Sequence, residues 1–386
     1  MTSIKVSNMN QPGLHPDSGI PFQALDRAHD PAVRVHDLAL LEFSGPDSER
    51  AWSFFTDFGL SGQREADGTL LFAAEAGAPV AVVYRPAAHA SFDGPTFAVK
   101  EQADLERLAQ RTGCDAPAPL ALPGSPPGVT LTDPNGVAVK VAWFADWREL
   151  PCCGEAPAIN RGDARPRVNS ALRPGRCPSR VLRLGHMVLG TPQWETTARF
   201  YIDTFGLIPS DVQCLEDGRP AIAFLRCDRG DDPADHHTFV VGRLPMVEME
   251  HAAFEVPDLD AVGMGGEVLG ASGFRRAWGI GRHILGSQIF DYWYGPDGRK
   301  FEHFADGDLF DANHPTGYSA MSGAALAQWA PPLPAAFVRP RLGLHEVWQL
   351  LRNLLGNSGF GFREVKLLGA ALRSKALPET TAEHQA

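Results

Sequence analysis

The sequence predicts an α+β fold: two tandem domains, each of paired βαβββ modules, with a C-terminal helical extension. Three observations carry this expectation. The chain has 386 residues, room for two to three domains at ~150 residues each. Its 39 glycines and 32 prolines imply many turns between short elements. And residues 37–60, DLALLEFSGPDSERAWSFFTDFGL, recur in outline at 183–207, RLGHMVLGTPQWETTARFYIDTFGL, an internal repeat.

Residues 1–34 are polar and broken by Pro and Gly, and read as an extended arm. Residues 35–146 form the first domain. Each copy of the repeat opens it with an apolar strand, a Pro-containing turn and an amphipathic helix. In the second copy Trp194, Ala198, Tyr201, Ile202 and Phe205 recur at helical spacing. Gly206 follows where a left-handed cap is wanted. A second echo pairs LTDPNGVAVKVAW (131–143) with YGPDGRKFEHFA (294–305). Both are a Pro-Asp/Asn-Gly turn followed by a strand.

Residues 147–180, rich in Pro, Arg, Ala and Gly without periodicity, read as a linker. The second domain spans 181–306. There the strand 251–256 precedes a helix near 258–268, as the strand at His186 precedes its own. The extension, 307–386, is Pro-rich and then offers one helix, Leu344–Leu355. Its apolar face holds Leu344, Val347, Leu350, Leu351 and Leu354 and should pack on the main body. A frayed end is expected over 376–386.

Composition narrows the function classes. The formal charge is −11, which opposes binding to phosphate backbones or anionic lipid. No nucleic-acid or membrane partner is expected. The six cysteines, including the adjacent Cys152 and Cys153, show no CxxC pair. No apolar leader and no apolar run of ~18 residues is present, so a cytoplasmic location is expected.

Three residues of the second half stand out. His186 lies in LGHMVL, on one strand face with Leu182, Leu184 and Val188. His251 opens HAAFEV, with Phe254 and Val256 on the other face. Glu302 lies in RKFEHF. Each is an ionisable group inside an apolar strand, where leaving it unpaired is costly. A lone strand histidine is ordinarily a hydrogen-bonded core residue. The first half supplies the control. Aligning the repeats puts Ala39 or Leu40 opposite His186, Gly94 opposite His251 and Lys140 opposite Glu302. The scaffold pattern is kept and all three groups are lost, so their role is not structural. Two histidines and a carboxylate make a facial triad suited to ferrous iron, with open positions for substrate and dioxygen.

These residues resemble a known family. LGHMVL, HHTFVV, HAAFEV, GIGRHILGSQIFDYW and GPDGRKFEHFADGD look like the catalytic domain of the type I extradiol ring-cleavage dioxygenases, in the vicinal-oxygen-chelate superfamily. The resemblance covers residues 35–306. It implies a metal-free first domain and His186, His251 and Glu302 as ligands of Fe(II), with Mn(II) as the alternative. It implies His237 as acid/base, with its neighbour His236 as the alternative. It implies Tyr292 and His283 at the substrate oxygens. Gly286 departs from members that carry an acidic residue near that place. The implied activity is cleavage of a catechol-type ring with O2 in aromatic-compound degradation, by a homo-oligomer. A hydroxyphenylpyruvate-dioxygenase-like enzyme and a non-catalytic binder of aromatic compounds are the alternatives. His303 and His314 read as solvated or supporting, Asp231, Asp232 and Asp235 as a solvated loop, and Trp278–Gly279–Ile280–Gly281 as a loop at the mouth of the site.

Overall fold

The computed structural model describes residues 13–150, 158–173, 175–338, 344–356 (backbone alone for 344–349), 359–375 and 377. Cys152, Cys153 and nearly all of the expected frayed end lie outside them.

Four βαβββ modules are present. The first opens with the strand Asp37–Gly45 and the helix Ser48–Phe58, the second with Ser91–Ala98 and Ala103–Thr112. The third opens with Arg183–Thr191 and Trp194–Phe205, the fourth with Glu248–Glu255 and Leu259–Ala271. The first pair builds an eight-stranded sheet and the second pair a nine-stranded one. In both sheets the two opening strands run antiparallel side by side. Each is flanked in parallel by the last strand of its own module.

Local chemistry sets the helix ends. The Asp47 carboxylate accepts from the Arg50 amide at the start of the first helix. Gly206 takes φ 70°, the left-handed cap the sequence predicts. The third-module helix buries Trp194, Ala198, Tyr201, Ile202 and Phe205, the set read from spacing.

The registers of the two sheets correspond. Leu40 faces Thr96 and Thr96 faces Lys140, just as His186 faces Ala253 and Ala253 faces Glu302. Gly94 faces Glu42 as His251 faces Val188. Leu40, Gly94 and Lys140 therefore hold the places of His186, His251 and Glu302. In the first half that position is closed by an ion cluster. Glu42, 2% exposed, pairs with the Lys140 ammonium and, at 2.7 Å, with Arg85.

The halves share one core. Phe301, from the second half, packs its ring against Phe43, Phe54, Phe55 and Phe58 of the first. His303 is fully buried, not solvated as expected. Its Nε2 lies 2.7 Å from the Phe58 carbonyl, one of the orphan acceptors at the end of that helix. His314 is exposed, as expected, and stacks on Phe310. Asp235 is also no solvated loop residue, since it pairs with Arg183 at 2.6 Å.

Other differences have local causes. Leu184 does not share a face with His186. Gly185 is an extra residue opposite Ala253 and Phe254, and this bulge turns Leu184 into the core. A side chain at Gly185 would meet the Phe304 ring at 2.4 Å. Residues 278–281 are not a loop but part of the strand Arg276–Arg282. Their glycines admit the extension: a Cβ at Gly281 would lie 2.8 Å from the Trp329 carbonyl. The extension also does more than the single helix expected. The strand Gly317–Ala320 pairs with Ile208–Cys214, and a second helix, Phe362–Arg373, follows the first. Among the described residues no helix is long and apolar enough to cross a membrane.

Candidate metal centre

One row of side chains crosses the second sheet. Trp278, Tyr292, Glu302, Ala253 and His186 face one another in register on five adjacent strands. Side chains in such a row project from one face of the pleat. The Ala253 methyl leaves space between Glu302 and His186. His251 lies one pair along, beside Val188 and Lys300.

This row brings the three predicted ligands together. Ligand atoms of His186, His251 and Glu302 lie within 4.8 Å of one another. Both imidazole Nε2 atoms stand 3.4 Å from the same oxygen, Glu302 Oε2. That exceeds the ~2.8 Å of a charge-assisted hydrogen bond. Glu302 is fully buried, and neither carboxylate oxygen has a hydrogen-bond partner. An ionised carboxylate left so is strongly penalised. A divalent cation among the three groups removes the penalty, and the donor set is the one that suits ferrous iron. Burial works to raise the Glu302 carboxyl, but the close approach of the His186, His283 and His251 imidazoles outweighs it and holds the group well below the usual carboxylate range. Burial pushes His186 down, toward the neutral ring that a metal requires.

A second bulge orients His251. Met249 faces Leu189 and His251 faces Val188, so Glu250 is the extra residue. Adjacent side chains thereby converge. Glu250 hydrogen-bonds His251 Nδ1 and pairs with the Lys300 ammonium. This leaves Nε2 toward Glu302, an outer contact that fixes ring and tautomer. Burial opposes ionisation of Glu250, yet Lys300 and His251 hold it down at about 2.

The structure separates the two adjacent histidines. The His237 ring lies 4.1 Å from that of His186 and lines the cavity above the cluster. His236 sits behind it, with Nε2 2.7 Å from Asp211. Gly286, at φ 78°, packs on the His236 ring, where a Cβ would stand 3.1 Å from Nδ1. An acidic side chain at this place would crowd that ring. Burial, reinforced by the surrounding imidazoles, pushes His237 well below the usual histidine range. It is a neutral ring, able to take a proton.

Tyr292 and His283 meet at the cavity wall. The Tyr292 hydroxyl lies 2.9 Å from His283 Nε2. His283 Nδ1 lies 2.7 Å from the Leu326 carbonyl. A carbonyl only accepts, so Nδ1 carries the proton and Nε2 accepts from the phenol. Burial, with Glu302 and Glu250 nearby, pushes the Tyr292 hydroxyl well above its ordinary range, so it stays protonated.

Sequence reasoning missed Glu250, Lys300, Asp211 and the Leu326 carbonyl. The acid directly before His251 in EMEH was a usable signal for Glu250. A backbone carbonyl from the extension has none. Five of the six predicted side chains line one end of a cavity of about 910 Å³, and the sixth, Glu302, is buried behind them.

No family model matches the chain. Over 220 residues it is 33% identical to metapyrocatechase 2 of Cupriavidus necator, which covers 56% of this chain and 64% of that protein. The match thus spans less than two thirds of its relative. Among solved structures, the homoprotocatechuate 2,3-dioxygenase of Arthrobacter globiformis is similar with a TM-score of 0.65 and 20% identity, covering 82% of this chain and 94% of that one. The Mn(II)-bound glyoxalase of Novosphingobium aromaticivorans is similar with a TM-score of 0.65 and 22% identity, covering 80% and 95%. The chain has the vicinal-oxygen-chelate fold of these proteins, and the resemblance carried by its motifs agrees with them.

Proposed function

We propose that this chain is an Fe(II)-dependent extradiol dioxygenase, cleaving a catechol-type ring with O2 in the breakdown of aromatic compounds. The observation that carries the proposal is the fully buried Glu302 carboxylate. It faces two imidazoles, has no hydrogen-bond partner, and lies beneath a cavity that also receives His237, His283 and Tyr292. The names of the relative and of one structural neighbour, metapyrocatechase and homoprotocatechuate 2,3-dioxygenase, support the same reaction class.

Ferrous iron at the triad would supply positive charge that favours loss of a catechol proton, and a redox partner for dioxygen. The chain supplies the rest. Tyr292 and His283 hold the ring oxygens in place through a fixed hydrogen-bonded pair. His237, neutral and buried, accepts a proton at Nε2 and returns it as the ring opens. The apolar walls keep water from competing and fix the reactants side by side.

The test is direct. Protein purified without oxygen is loaded with Fe(II), or separately with Mn(II), and mixed with a panel of catechols. Oxygen uptake with a yellow ring-fission product under Fe(II) is expected. No uptake with any mono- or bicyclic catechol under either metal would sink the proposal.

A further inference from the structure

We infer that the cavity selects catechols bearing a large, uncharged, apolar substituent, and that the C-terminal helix pair is the wall that reads it. The inference rests on the ring-cleavage reading above and adds the substrate class.

At about 910 Å³, the cavity lies near the top of the ~300–1,000 Å³ range that holds drug-sized ligands. A catechol ring seated at His237, His283 and Tyr292 fills only its inner end. The remainder is mostly apolar and is walled on one side by the extension. Leu350 and Leu354 come from the helix Leu344–Leu355, Phe360 from the connection, and Leu368 and Leu372 from the helix Phe362–Arg373. Each leucine pair is one helical turn apart and so shares a face. Ile222, Phe224 and Met321 line the cavity as well.

Polar contacts at the edges dock the two helices and leave these leucines to the cavity. Asn353 donates to the Pro245 carbonyl at 2.8 Å. Glu364 accepts from Arg219 at 2.8 Å, and Arg363 pairs with Asp217 at 2.8 Å.

The charged groups of the wall are committed elsewhere. Arg243 is fully engaged by Glu195 and the Pro220 carbonyl. Lys300 is held by Glu250 and the Phe337 carbonyl. Arg275 is exposed and lies over the Tyr294 ring, where water screens it. Among the described residues a substrate carboxylate here would lose its hydration and gain no uncommitted buried cation. An apolar arm gains from every part of its surface removed from water.

The test uses the full chain loaded with Fe(II). Oxygen uptake is measured with catechol, 3-phenylcatechol, 4-hexylcatechol and 3,4-dihydroxyphenylacetate, and anaerobic calorimetry measures their binding. We expect kcat/KM for the phenyl or hexyl compound to exceed that for catechol by about tenfold or more, with the carboxylate compound below catechol. Leu354→Glu and Leu368→Glu should each lower the ratio of apolar-arm to plain catechol efficiency by about tenfold, and Leu354→Met should restore it. Because the readout is a ratio within each variant, a loss of folded protein does not mimic the effect. Equal or better use of the carboxylate compound, or an unchanged ratio in both Glu variants, overturns the inference. Absence of uptake with every catechol overturns the ring-cleavage reading instead. Calorimetry then decides the cavity alone: tighter binding of the apolar catechols supports the inference, and its absence overturns it.

Discussion

The Nδ1 atoms of His236 and His237 face each other at 2.9 Å. Only one of them can hold the shared proton. Asp211 accepts from His236 Nε2, 2.7 Å away, which favours the His236 tautomer that is bare at Nδ1 and accepts there from His237. That in turn leaves His237 bare at Nε2, toward the cavity. Asp211, 18% exposed at its side chain, thus sets the tautomer of a buried base two groups away. We predict that His237→Phe lowers kcat by about 10²–10⁴ with full metal content. Asp211→Asn should also lower kcat, because the amide can donate to His236 and reverse the chain, but by less, because its oxygen can still accept and keep the original tautomer. Metal analysis beside oxygen-uptake kinetics checks both; metal loss in Asp211→Asn would sink the tautomer argument.

Removing a ligand should abolish retention of the ion. His186→Ala is expected to hold no Fe(II) after desalting. It should also show no rise in melting temperature on adding the metal. The unaltered chain should gain about 2.7 kcal/mol at a hundredfold excess over its dissociation constant. Equal metal content in the two proteins would refute the site.

The bulge residue Glu250 acts through His251. Glu250→Gln should weaken metal affinity by about 10–100-fold, read by competition with a chelator. An unchanged affinity would mean that Glu250 serves only as the partner of Lys300.

Asp291 gives the fold a pH dependence of its own. Burial, against Arg276 and the Trp293 indole, raises its carboxyl from 3.8 to about 7. The folded protein therefore binds this proton more tightly than the unfolded chain. The stability it contributes is complete below pH 3.8 and is lost as pH rises toward about 7, a change on the order of 4 kcal/mol. Denaturant titrations of Asp291→Asn should lack this slope between the two values. The same slope in the variant would place its origin elsewhere.

Much of this was legible in the sequence because repeats and strand alternation are local signals. The duplication put Lys140 opposite Glu302, and the strand registers agree. The proposed ligands were visible as ionisable groups in apolar strands. What escaped depends on contacts distant in the chain. Gly185 and Glu250 are bulges, and one extra residue flips every later side chain to the other face without changing composition. The helix Phe362–Arg373 is short and holds Gly369 within it, which weakens its helical signal. His303 looked like a spare histidine beside a ligand. Its role depends on a helix end 245 residues away, which no local pattern encodes.

The ion cluster of the first half has a further consequence. There the buried Glu42 is neutralised by Lys140, a counter-ion attached to the chain. Glu302, at the matching region of the second half, has only histidines beside it among the described residues, and under the proposed function its counter-ion comes from solution. One half thus reaches its final charge state by folding alone. The other completes it only when the surroundings deliver an ion. On that reading, scarcity of metal falls on one half of a duplicated protein and spares the other, although both rest on the same aromatic core.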